Sequence, residues 1–172
     1  MTNAGLLEDV ARRLRYNAWA NRLVADALVR HAGGVLRVGG VGDPLPRAYL
    51  LLAHVLCAEE VWHARIHGGT GPVQALWTAV PPEKLSPMVE ARALAWEELL
   101  GVLAHEGLER IVDYVNTKGD PYRQPLVDVL GHVVNHGTHH RGEIVARLRQ
   151  ARVDPPITDF VHYTRTVLQR SQ

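Results

Sequence analysis

The sequence predicts an all-α fold, a four-helix bundle, on three observations. Four long segments carry apolar residues at spacings of three and four, the period of one helix face. Glycine- and proline-rich breaks separate them. The chain has 172 residues, 47% apolar and 22% charged, enough to bury one core, so residues 1–172 read as one domain.

The first helix is expected over residues 6–31, with Leu7, Val10, Leu14, Trp19, Leu23 and Ala27 on its inner side. Gly33 and Gly34 end it, and the Gly/Pro-rich segment 35–46 reads as a loop. A second helix is expected over 46–67, stopped by Gly68-Gly69. The break from 68 to 85 is long for a link inside a compact domain. It can cross a bundle end to end, which lets helices two and three run parallel.

Ser86-Pro87 reads as an N-cap followed by proline at the first helical position, giving a third helix over 87–105. Met88, Ala91, Ala95, Leu99 and Val102 would form its inner face. Ile111, Val112, Tyr114 and Val115 favour extended chain, and the following NTKGDP is turn-prone, so a small hairpin is expected. The fourth helix spans 125–150, ended by Asp154-Pro155-Pro156, and a short last helix over 158–168 packs outside the bundle.

Nineteen Lys and Arg against eighteen Asp and Glu leave a formal charge of +1, which argues against a nucleic acid or a membrane surface as partner. The arginines at 12, 13 and 15 and at 141, 147, 149 and 152 read as solvated helix faces. One cysteine, Cys57, excludes an internal disulfide and fits a reducing compartment. With neither a signal peptide nor a bilayer-length apolar run, the reading is cytoplasmic.

The composition is unusual in its ten histidines. On helix four, Leu126, Val129, Leu130, Val133, Ile144 and Leu148 define the core direction. At about 100° per residue, His140 lies about 30° from that direction and His136 about 70°. His132 and His139 lie about 110° and 130° away. His136 and His140 therefore face inward from consecutive turns, close enough to reach one ion, with Gly137 between them leaving room for a ligand. On helix two, His54 sits within an apolar stripe of Leu50, Leu51, Ala58 and Val61, while His63 points away beside Glu59 and Glu60.

Each piece has an ordinary explanation. A lone inward histidine is more often a hydrogen-bonded core residue, and an H-x-x-x-H pair arises by chance in a histidine-rich chain. Two inward histidines on one helix and a third on another favour a metal jointly, because a metal plus one acceptor satisfies both ring nitrogens. His31, His67 and His105 read as helix C-terminal caps, and Cys57 as a small buried hydrophobe. The glutamate of H-E-x-x-H, the Gly-x-Ser-x-Gly elbow and the paired Glu-x-x-His of di-iron bundles are all missing.

Tyr16-Asn17-Ala18-Trp19-Ala20-Asn21, Leu52-Ala53-His54 and the run from Asn135-His136-Gly137-Thr138 through His139-His140-Arg141-Gly142-Glu143 resemble the DinB/YfiT-like family. So does the ending Val153-Asp154-Pro155-Pro156 with Thr158-Asp159 and Tyr163. The resemblance implies an up-down-down-up bundle with a divalent metal held by His54, His136 and His140. It also implies that Tyr16, Asn17 and Trp19 line the open side of the metal.

By the same resemblance, the protein is a damage-inducible metalloenzyme of detoxification or stress response, thiol S-transferase-like, and a homodimer. Its partner would be a small-molecule substrate such as a low-molecular-weight thiol. A hydrolase at the same three histidines and a non-catalytic binding protein are the alternatives. Imidazole ligands suit zinc, nickel and iron alike. With ordinary pKa values of about 6.5, three such ligands would release the metal below about pH 6.

Overall fold

The structure, a computed structural model, describes residues 3–32 and 44–168. Four long helices dominate: α1 (Asn3–Ala32), α2 (Leu45–Ile66), α3 (Pro82–Glu106) and α4 (Leu126–Gln150). A turn of 3₁₀ helix (Val73–Ala75) lies in the crossover between α2 and α3. Strands β1 (Ile111–Val115) and β2 (Pro121–Pro125) precede α4. The chain ends with α5 (Phe160–Tyr163) and a π-helical turn (Thr164–Leu168). Most of the loop expected over 35–46 falls outside the described residues.

Side-chain pairings fix the helix directions. Arg15 pairs with Glu97 at 2.7 Å and Arg22 with Glu90 at 2.6 Å, so α1 and α3 are antiparallel. Two apolar clusters set the rest. One joins Val24 and Leu28 to Leu51, Leu52, Leu85, Val89, Ile144 and Leu148. The other joins Val10 and Leu14 to Ile66, Leu99, Leu103, Leu126 and Leu130. Only α1 and α4 up with α2 and α3 down satisfies both, which is the up-down-down-up bundle. Each fully buried leucine contributes roughly 1.5–3 kcal/mol. No helix among the described residues is long and apolar enough to cross a membrane.

Helix α3 departs from expectation. It starts at Pro82, an N1 proline, with Pro87 inside the helix, where it costs one backbone hydrogen bond. Burial of Leu85 and Val89 on the first cluster offsets that cost. The buried face is Leu85, Val89, Trp96, Leu99, Leu100 and Leu103, rotated from the expected one; Val102 is exposed and so is Ala91. Trp96, the largest side chain on the helix, decides the rotation.

The hairpin forms as expected, in the register Ile111↔Pro125 to Val115↔Pro121. The Asn116 side-chain oxygen accepts from the Lys118 and Asp120 amides at 2.8 and 3.0 Å and closes its turn. Leu126 follows β2 without a linker, so the hairpin sets where α4 begins. The C-terminal segment lies against α1, where the Tyr16 hydroxyl donates to the Thr158 carbonyl at 2.9 Å and Tyr163 is buried against Tyr16 and Ala20.

Between the two clusters lies a buried polar layer that corrects two expectations. Glu59, expected beside the outward His63, is 2% exposed, and Arg141, expected on a solvated face, is 1% exposed. One Glu59 oxygen accepts from the Asn17 and Asn21 amides at 2.8 Å each, and the other accepts from the Trp96 indole at 2.8 Å. Arg141 Nη1 donates to the side-chain oxygens of Asn17 and Asn21 at 2.6 and 2.7 Å. The network draws one or two residues from each of the four long helices. Burial raises the Glu59 carboxyl above its ordinary value, and the three donors and Arg141 oppose that rise.

Gly137 permits this layer. A Cβ there would overlap Asn17 Oδ1 and lie 2.8 Å from Arg141 Nη1. The room that the glycine leaves is filled by the network and not by a ligand, because α1 packs against that side of α4.

Candidate metal centre

His54 is buried, and His136 and His140 are half-buried. One ring nitrogen from each lies within 4.8 Å of the others, a group able to hold a metal ion. His54 Nε2 and His136 Nε2 are 3.2 Å apart. That matches the edge of a tetrahedron of nitrogens around zinc, about 3.3 Å for bonds of about 2.0–2.1 Å. His139 and His132 are exposed, as their helix positions require.

The crossover fixes the His54 tautomer. It runs back along α2: Gly71 packs on Val61, the Pro72 carbonyl meets Cys57 Sγ at 3.7 Å, and the Leu76 carbonyl lies 2.7 Å from His54 Nδ1. Gly71 has φ +66°, and a Cβ there would lie 2.7 Å from Val61 Cα, so glycine alone lets the segment lie so close. A carbonyl only accepts, so Nδ1 carries the proton and the Nε2 lone pair is free. A backbone carbonyl behind a ligating imidazole is the usual support for such a ligand. Cys57 stands outside the group that can hold the ion.

Without an ion, His136 Nε2–H donates to His54 Nε2, so the two nitrogens share either a proton or a metal. His140 Nδ1 is buried and has no hydrogen-bond partner among the described residues. An unpartnered buried nitrogen costs stability, and the donor set as a whole fits an ion.

Burial and the neighbouring imidazoles hold His136 down to about 3, and burial lowers His54 and His140 as well. All three are therefore neutral, the form that binds metal. Protons therefore compete less for these nitrogens, which shifts the expected acid release of metal to lower pH than ordinary imidazoles would give. The metal-free protein has a matching signature. A histidine whose folded pKa lies below its unfolded value of about 6.5 is protonated first in the unfolded chain, so stability falls as pH drops from about 6.5 toward about 3. Urea midpoints of chelator-treated protein between pH 7.5 and 4 should decline across that range, and His136→Gln should flatten the decline. A wild-type midpoint independent of pH would contradict the depressed value.

Tyr16, Asn17 and Trp19 sit in the α1 packing. Tyr16 meets Phe160 edge-on at 5.0 Å, Trp19 lies 5.3 Å from Tyr163, and Asn17 belongs to the polar layer. The sequence reading contains neither the polar layer nor the contact that the crossover makes with His54. A signal for the first exists: the run Leu50 to Ala58 is apolar nearly all round, the mark of a central helix on which no face is reserved for solvent. Nothing in a Gly/Pro-rich break reveals which carbonyl will meet His54.

Fold and site together define a helical-bundle protein with a three-histidine group able to hold a metal ion. The DinB family model matches residues 1–171, and the chain belongs to the DinB family. It is similar to Protein DinB of Bacillus subtilis (strain 168), 28% identical over 168 residues that cover 91% of this chain and 95% of that protein.

Proposed function

We propose that this chain is a metal-dependent enzyme that joins a low-molecular-weight thiol to an electrophilic small molecule, in detoxification or stress response in the cytoplasm. The observation that carries the reading is the convergence of His54, His136 and His140, neutral and with the His54 tautomer set by Leu76. His54, His136 and His140 would hold a zinc, nickel or iron ion with positions left open, and the ion would supply Lewis acidity that makes a thiol easier to deprotonate near neutral pH. In the net reaction the sulfur bonds to the electrophilic carbon, the leaving group departs with its electron pair, and the thiol proton passes to solvent. The near-neutral charge supports a small-molecule substrate over nucleic acid or membrane, and the single cysteine supports a reducing compartment. Association into a homodimer is part of the same proposal.

A second reading, hydrolysis at the same site, is favoured by Glu143, a carboxylate close enough to His140 to act on its charge. Elemental analysis after mild purification should find about one divalent ion per chain. Mixing the loaded protein with a thiol and a model electrophile should consume both, and chelation should stop it. Ester or amide cleavage instead would favour the hydrolase, and metal binding with neither activity a non-catalytic role. Protein that stays metal-free after incubation with zinc, nickel and iron would defeat all of these readings.

A further inference from the structure

Trp77 follows Leu76 in the crossover. Its indole stacks on the His54 imidazole, ring centroids 3.7 Å apart and planes within 8°, and it meets His140 edge-on at 6.3 Å. The Arg47 guanidinium lies over the indole, 5.1 Å from its centroid, and pairs with Glu143 of α4 at 3.6 Å. Yet Trp77 is 52% exposed. Half its apolar surface stays in water, so burial accounts poorly for so large a side chain here.

What the stack does supply is a plane. The terminal torsion of an imidazole is broad, and the hydrogen bonds to Leu76 and His136 hold the ring only at its edge. Neither touches a face, so the ring can still swing about the line that joins them. A flat contact on its face removes the swing, so Leu76 and Trp77 together set the direction of the Nε2 lone pair. Consecutive residues of one segment provide both restraints, and Gly71 pins that segment to α2.

We propose that Trp77 is a positioning residue. It holds the His54 ring plane so that Nε2 points to where His136 and His140 converge, and it acts on the metal only through His54. The inference rests on the three-histidine metal reading above.

The test compares wild type, Trp77→Ala and Trp77→Phe as full-length protein. Zinc affinity is read by competition with a chromophoric chelator. Stability of the metal-free form is read from its urea midpoint, and the state of the His54 ring from ¹⁵N-resolved NMR. Trp77→Ala should weaken zinc binding about tenfold or more, the usual cost of losing a group that supports a ligand. Trp77→Phe should restore most of it, and all three urea midpoints should agree. In the metal-free wild type, His54 should show one Nδ1–H tautomer with sharp resonances, which broaden in Trp77→Ala and sharpen again in Trp77→Phe.

Wild-type zinc affinity in Trp77→Ala, or a loss that tracks a fallen urea midpoint and is not restored by phenylalanine, would overturn the proposal. A wild type that binds no metal would sink the metal reading instead. The His54 resonances would then decide the positioning role alone: broadening in Trp77→Ala supports it, and unchanged resonances overturn it.

Discussion

Replacing His136 with alanine should abolish tight metal binding. A structural zinc site binds with on the order of 10 kcal/mol. Removing one of three protein ligands forfeits roughly a third of that, more than a hundredfold in affinity. His54→Ala and His140→Ala should do the same, because one nitrogen of each belongs to the same group. His139→Ala is the sharp control: its ring lies 5.0 Å from that of His140, yet it is exposed and stands outside the group able to hold the ion. His63→Ala should also retain the metal. Equilibrium dialysis against zinc, with content measured by elemental analysis, reads the series directly. Loss in His139→Ala with retention in His140→Ala would mean that the metal sits elsewhere on α4.

Arg141→Ala should be the most destabilising single change among the polar side chains, by about 3–5 kcal/mol, the range for stranding a buried charge, here Glu59, whose link to Arg141 runs through Asn17 and Asn21. The arithmetic follows from what is left behind. Asn17 Oδ1 and Asn21 Oδ1 each lose their donor, and Glu59 keeps its burial without a counter-charge. Glu59→Gln should also destabilise, although it removes a charge. One of its two terminal atoms becomes a donor, facing either the Trp96 indole N–H or the two asparagine amides. Replacing Glu59 and Arg141 together by methionine should cost less than Arg141→Ala alone, since no charge is stranded. Urea unfolding monitored by circular dichroism measures all three, and an Arg141→Ala loss under about 1 kcal/mol would show that the layer contributes little.

The sequence by itself determined the elements and the candidate ligands. Apolar periodicity located the four long helices, and helix geometry separated inward His136 and His140 from outward His132 and His139. Both are local properties: a period of about 3.6 residues is written into consecutive side chains. The length of the break before α3 left room for α2 and α3 to run parallel. Tertiary structure decided what depends on a second helix. Glu59 departs from its expected outward position because a single apolar stripe through His54 implies one buried face, whereas α2 is packed on several sides by α1, α3 and α4. Arg141 departs for the complementary reason: a guanidinium among arginines reads as solvated until Asn17 and Asn21 of α1 receive it. Leu76 and Trp77 could not be found at all, because a loop has no period. Only the close approach of Gly71 to Val61, between residues ten apart in the chain, brings that segment back over His54.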